Sequence, residues 1–277
     1  MSDPAAAVPV LEGARVAVTR PRHQCQGILR MLEAGNAYAM CLPVIDILPV
    51  ADSAAAVAAL RARAGFDLLV FTSANVVSVL LEHHPEGASL ADGATVAAVG
   101  PATRRALESA GIPVSVLPAD DFSSEGLLRH AALQAEQIAG KRVLLLKGAG
   151  GRPLLAESLA ERGAKVASLD VYRRACPAGK IRHLLGEPLE GFGSIVITSG
   201  TALEHLLLLA NDQEKRHALG AQLVVSSPRI ARLARQRGAL IEPVVSATPA
   251  DEAIVDALAD WWSARNRSTK TMEHRRS

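Results

Sequence analysis

Residues 68–75 read LLVFTSAN and residues 194–201 read SIVITSGT. Each is a short apolar run that ends on a Thr-Ser pair and passes directly into a helical pattern. A strand apolar on both faces is what a parallel sheet covered by helices on two sides requires. A strand that hands over to a helix through small hydroxyl residues is a βα unit. The same turn occurs twice, about half the chain apart, as an internal repeat would place it. The surrounding sequence agrees. GPATRRALESAG (100–111) aligns without a gap with SPRIARLARQRG (227–238), RVAV at 15–18 matches RVLL at 142–145, and Arg20 falls on Lys147. EGL at 125–127 falls on EAI at 252–254, and Asn36-Ala37 stands where Gly163-Ala164 stands. Asn is the usual substitute for Gly at a left-handed position just past a helix. Matches in one order and nearly one spacing make a duplication.

A chain of 277 residues with 49% hydrophobic content can bury two ordinary cores. The opening MSDPAAAVPVLEG lacks the basic and apolar regions of a signal peptide. No apolar stretch approaches the roughly 20 residues that span a bilayer, so neither a leader nor a membrane partner is expected. Cys25, Cys41 and Cys176 are odd in number and lack metal-ligand spacing, which suits a reducing cytosol; a cytoplasmic protein is expected. The isoelectric point near 8.5 invites a nucleic-acid reading, but the charge is uneven. The last fifteen residues, 263–277, carry five Arg/Lys and one Glu, net +4, leaving about −2 for the body of a chain at +2. A folded nucleic-acid binder carries its basic surface on the fold, and two tyrosines offer little stacking. The segment 263–277, poor in apolar residues, reads as a basic disordered tail, with a binding role as the alternative.

Strand patterns fall at 15–19, 38–42, 67–72, 95–99 and 113–117 in the first half, and at 142–147, 165–171, 193–198, 223–226 and about 240–245 in the second. Helical patterns lie between them, at 24–34, 74–83, 101–110, 152–162, 200–210, 228–237 and 251–262. Five strands per half predict two small doubly wound sheets. In such sheets ligands bind at the carboxyl edge, where strands end and helices begin. The small-residue turns all sit there: Thr19-Arg20-Pro21, Thr72-Ser73-Ala74, Gly100-Pro101-Ala102, Lys147-Gly148, Thr198-Ser199-Gly200 and Ser226-Ser227-Pro228. Helix N-termini present unpaired N–H groups to an anion that small residues let approach. The alternative role of any one turn is N-capping, which favours Ser, Thr and a following Pro.

The glycine cluster KGAGGRP (147–153) matches neither phosphate motif: Pro153 stands where a dinucleotide fingerprint needs its third Gly, and a P-loop needs Gly-Lys-Ser/Thr. HExxH, CxxC and GxSxG are missing, and the eight histidines show no ligand spacing; His83-His84 reads as an exposed helix end. No metal and no cofactor are expected. What remains is two sheets whose ligand edges carry hydroxyls, amides and Arg/Lys, a clamp for a polyanion.

VTRPRHQ (18–24), FTSANVV (71–77), AVGPATRRAL (98–107), SSEGLL (123–128), LDVYRR (169–174), VITSGTAL (196–203) and VVSSPRIARLA (224–234) together resemble the uroporphyrinogen-III synthase family. The resemblance implies an α/β fold: two similar doubly wound parallel-sheet, flavodoxin-like domains joined by a two-stranded linker. It also implies domains that exchange pieces between the halves: 1–42 plus 175–262 as domain one and 46–171 as domain two, with crossings at 43–50 and 168–174. Pattern alone reads equally well as two consecutive domains. The implied activity is that of a cyclising hydro-lyase. It closes linear hydroxymethylbilane to uroporphyrinogen III with loss of water and inversion of ring D, through a spiro intermediate in the cleft between the domains. The implied partners are that small-molecule substrate and a handover from the bilane-forming enzyme upstream, with the chain a monomer. By the resemblance, Tyr172 is the general acid, with a packed linker aromatic as its other role. Carboxylate binding falls to Thr19, Arg20, Thr72, Ser73, Ala74, Gly100, Pro101, Thr103, Lys147, Gly148, Arg152, Thr198, Ser199, Gly200, Ser226 and Ser227. The second-half turn departs from the family pattern: Ser227-Pro228 is followed by Arg229 and Ile230, without the hydroxyl that Thr103 keeps in the first half. A non-catalytic two-domain protein that binds a small anion or tetrapyrrole fits the same residues.

Overall fold

The computed structural model describes residues 10–50, 58, 65–83 and 93–274. The opening segment 1–9, the His83 side chain and His84 lie outside the described residues. The chain forms two compact units: residues 1–46 with 176–277, and residues 47–175.

Unit one holds a five-stranded sheet of β1 (Arg15–Val18), β2 (Tyr38–Cys41), β8 (Ser194–Ile197), β9 (Gln222–Val225) and β10 (Val244–Val245), in the order β2-β1-β8-β9-β10. Every pairing is parallel, with Val16 opposite Ser194 and Ser194 opposite Gln222. In chain order within the unit this is 2-1-3-4-5, the flavodoxin-like order. The central strands β8 and β9 are buried at every position, as a sheet covered on both faces demands.

Unit two holds β3 (Asp46–Pro49), β4 (Leu68–Phe71), β5 (Thr95–Ala98), β6 (Arg142–Gly148) and β7 (Lys165–Ala175), in the order β3-β7-β6-β4-β5. Alternation along the strands separates two cores. Leu69, Phe71, Leu144 and Leu146 join the helix Ala74–His83 on one face, while Leu68, Val70, Val143 and Leu145 join the helix Leu154–Glu161 on the other. The two segments expected as linker strands, 43–50 and 168–174, contribute β3 and the latter part of β7, which neighbour each other at the edge of this sheet.

The helix ends repeat as the duplication requires. Asn36 and Gly163 have φ of 64° and 87°, and Gly111 and Gly238 have 76° and 94°. Asn36 is the one non-glycine with positive φ among the described residues.

Three expectations need correction. Residues 113–117 make only an isolated bridge, Ala97 to Val116, and the strand near 240–245 shrinks to Val244–Val245. Pro113 and Pro243 each remove a backbone donor where pairing would begin. The last helix runs Asp251–His274, through most of the segment read as disordered. Ile254, Val255, Leu258 and Ala259 anchor it in the core, and further along Arg265 lies 5.4 and 5.5 Å from the ring centres of Trp261 and Trp262. No described helix is long and apolar enough to cross a membrane.

Candidate functional site

Each sheet reverses its strand order once, between β1 and β8 in unit one and between β4 and β6 in unit two. Helices leave neighbouring strands on opposite faces at such a point, which opens a crevice outside their carboxyl ends.

In unit two that crevice is a recess of about 170 Å³ lined by Thr72, Ser73, Lys147, Gly148, Arg152 and Tyr172 from the expected set. Tyr172 reaches it through an irregularity in the sheet. Lys147 lies opposite Asp170, but Gly148 lies opposite Tyr172, so β7 carries one residue more than β6. Such a bulge re-aims side chains next to sites. It turns Val171 and Tyr172 inward together, at 0% and 1% exposed. The Tyr172 ring packs with Phe71, Leu146 and Val171, which agrees with its reading as a packed aromatic. Its hydroxyl is polar and partnered: it lies 3.2 Å from Ser73 Oγ and accepts a hydrogen bond from Arg174 Nη2 at 3.0 Å. Gly148 makes room for the phenol, since a Cβ there would lie 2.6 Å from the Tyr172 Cζ.

The cations around the recess are mostly matched by carboxylates. Lys147 Nζ lies 2.5 Å from Asp170 Oδ1, and Arg152 forms a fork with Glu125 at 2.5 and 2.8 Å. Arg152 holds the Glu125 carboxyl down at about 2 through those hydrogen bonds. Arg174 has no carboxylate partner among the described residues. Thr72 Oγ1 donates to the Leu146 carbonyl at 3.2 Å, so its hydroxyl is spent on the neighbouring strand. Ala74 opens the helix behind Ser73. Gly100 and Pro101 begin the helix Pro101–Ser109 and Thr103 is buried within it; none of the three lines the recess.

The recess also takes in Ser124, Gly151 and Arg174, which the sequence reading did not single out. A signal existed for Arg174, because residues two apart on a strand share a face.

In unit one the expected turns meet at the ends of β1, β8 and β9, with most polar atoms already engaged. Thr19 is fully buried and donates to the Val196 carbonyl at 2.8 Å. Arg20 pairs with Asp251 at the start of the last helix. Ser226 Oγ donates to the Thr198 carbonyl at 3.0 Å. Ser199 caps its helix by accepting from Ala202 N at 3.0 Å, and Gly200 is its first residue. Ser227 precedes Pro228 as an N-cap without a side-chain bond. Capping and sheet closure therefore account for the hydroxyls of Thr19, Ser199 and Ser226, and backbone N–H groups remain for an anion. Larger hollows of about 470 and 480 Å³ in unit one are lined by other residues, Asn211 and Glu214 in one and Gln222 and Trp261 in the other. No expected site residue lines either.

Cys25 and Cys41 form a disulfide, with Cα atoms 6.0 Å apart; Cys176 is free. Three cysteines suited to a reducing cytosol would be free thiols, and the fold pairs two of them. The end of β2 comes back beside the start of the first helix, and this brings Cys41 to Cys25. Among the described residues no group of His, Cys, Asp and Glu is arranged to hold a metal ion.

A family model described as uroporphyrinogen-III synthase HemD matches residues 28–256. The uroporphyrinogen-III synthase of Salmonella typhimurium is 30% identical over 232 residues, covering 80% of this chain and 91% of its own. That of Escherichia coli is 30% identical over 226 residues, with the same coverage of 80% and 91%. The crystal structure of uroporphyrinogen-III synthetase from Helicobacter pylori superposes with a TM-score of 0.60 at 14% identity, covering 90% of this chain and 99% of that one. A mutant uroporphyrinogen III synthase from Thermus thermophilus gives 0.54 at 21%, covering 92% and 99%. These two share the fold; the family match takes in strands of both units and the whole of the recess, and the chain belongs to the uroporphyrinogen-III synthase family.

Proposed function

We propose that the chain closes hydroxymethylbilane to uroporphyrinogen III, with loss of water and inversion of ring D through a spiro intermediate, and that Tyr172 assists the departing hydroxyl. The observation that carries the reaction is the family match over residues 28–256. The role of Tyr172 is supported by its hydroxyl standing at the recess beside Ser73 and Arg174. The phenol proton leaves with the hydroxyl as water, and the pyrrole nitrogen lone pair replaces the broken C–O bond. The proton that the resulting cation later gives up restores the phenol. General acid help of this kind is worth about 10²–10⁴-fold.

Ligand pockets usually enclose about 300–1,000 Å³. A recess of about 170 Å³ therefore takes one part of a tetrapyrrole, and the rest extends beyond it. Lys147 and Arg152 at its wall suit the carboxylate arms. Their role is to hold a flexible chain so that one carbon of ring D attacks and another does not, which is catalysis by orientation. The same reading makes the protein a cytoplasmic monomer that receives the bilane from the enzyme that forms it.

Incubation with hydroxymethylbilane, oxidation of the products and separation of the porphyrin isomers tests the reaction. The inverted isomer is expected in excess. The uninverted isomer alone would refute the proposal and leave a binding protein.

A further inference from the structure

We infer that Arg174 is a positioning residue for Tyr172, fixing the phenol as a donor toward the recess; the inference rests on the function proposed above. Arg174 follows Tyr172 by two residues on β7. Its Nη2 donates to the Tyr172 oxygen at 3.0 Å, and its Cζ lies 5.5 Å from the centre of the phenol ring.

The hydrogen-bond inventory shows what this contact decides. A phenol has one proton to give and lone pairs to accept with. Between Ser73 Oγ and the Tyr172 oxygen, 3.2 Å apart, either atom can be the donor. Left to that pair alone, the phenol proton would point at Ser73 in some molecules, while in others the phenol would accept from it. Arg174 has donors only and occupies the acceptor side of the oxygen. The phenol proton is then directed to Ser73, or to a substrate hydroxyl that takes the place of Ser73.

The charge pattern makes Arg174 available for this task. Lys147 and Arg152, the other two cations of the recess, face Asp170 and Glu125, whereas no described carboxylate competes for Arg174. A hydrogen bond from a guanidinium is short-ranged, directional and stronger than a neutral one. It bonds to the oxygen that gains charge as the proton departs.

An Arg174 that acts through Tyr172 differs measurably from one that anchors a substrate carboxylate. In the full-length chain, Arg174→Gln should lower kcat about ten- to a hundredfold with KM changed less than about threefold. Arg174→Lys should recover most of that loss. In the Tyr172→Phe background the same Arg174→Gln change should cost less than about twofold, because coupled residues are not additive. A loss of equal size in both backgrounds, or one confined to KM, overturns the inference.

A readout without substrate separates this inference from the proposed reaction. With ¹³Cζ-labelled tyrosine, the resonance that disappears in Tyr172→Phe should move in Arg174→Gln. A resonance that stays in place shows that the contact is not formed, whatever the enzyme makes. A resonance that moves in a protein yielding only the uninverted isomer sinks the reaction and leaves the contact standing.

Discussion

Replacing Gly148 with alanine tests the site through its geometry. The new Cβ would lie 2.6 Å from Tyr172 Cζ and 2.9 Å from both Cε1 and the hydroxyl oxygen. Carbon atoms rest about 3.5–4.0 Å apart, so the phenol has to move by about 1 Å. Its ring is 1% exposed and packed with Phe71, Leu146 and Val171, so the shift carries the hydroxyl end into the recess. The contacts to Ser73 at 3.2 Å and Arg174 at 3.0 Å leave hydrogen-bonding range after such a shift. Overpacking of this kind costs about 1–3 kcal/mol of stability, and a misplacement of about 1 Å costs about 10²-fold in rate. Gly148→Ala should therefore lose about two orders of magnitude in turnover while unfolding a few degrees lower. Gly193→Ala, where a Cβ meets nothing within 4 Å, is the control and should match wild type. The measurements are isomer-resolved turnover and thermal melts on the purified variants. Wild-type turnover in Gly148→Ala would refute the reasoning, since the phenol could then move by about 1 Å without consequence. Combined with Tyr172→Phe, the alanine should add little further loss of rate, because the hydroxyl it displaces is already gone.

Tyr172→Phe alone should lower turnover by about 10²–10⁴-fold at matched circular dichroism; unchanged turnover would leave the ring as packing. Ser199→Ala should cost about 1 kcal/mol by removing a helix cap and slow turnover much less, because the backbone N–H groups of the turn remain; a loss as large as that of Tyr172→Phe would contradict this. For Glu125, the folded-state value near 2 lies below the ordinary 4.5, so the stability it contributes is present above pH 4.5 and fades as pH falls toward 2. Thermal melts of wild type and Glu125→Gln should differ by a constant amount from pH 7 to 4.5 and converge below it; convergence already at pH 6 would refute the assignment. Thiol labelling of the unfolded, air-oxidised protein should find one thiol, Cys176, and three after reduction; three before reduction would exclude the Cys25–Cys41 bond.

Much of the site was legible because its signals are local. Thr72-Ser73 and Thr198-Ser199 each close an apolar strand and open a helix, and Lys147-Gly148 closes β6 ahead of the helix Leu154–Glu161; this places them at carboxyl edges whatever the strands' partners. Arg174 was legible in principle from the two-residue period of β7, which sets it on the face of Tyr172 and Arg173 on the other. The bulge opposite Lys147-Gly148 was not legible. It arises from how β6 and β7 register against each other, and that registration lets Val171 and Tyr172 both turn inward. Gly148 read as a ligand-edge glycine, but its main constraint is the Tyr172 ring, a contact across two strands.

The sequence by itself determined the duplication, the alternation of strands and helices, and the left-handed helix ends at Asn36 and Gly163. These follow from periodicity and backbone sterics within a few residues. Strand partnership was decided by the tertiary structure alone. β1 is flanked by β2 and β8, and β4 by β5 and β6, although the apolar runs of the two halves are interchangeable in pattern. Contacts over long separations distinguish them: Arg15 with Glu187, Tyr38 with Glu187, and Arg20 with Asp251. Each joins the opening 46 residues to the returning 176–277 segment. A pairing of that range depends on complementary side chains meeting after the chain has come back, and no local window of the sequence contains both partners.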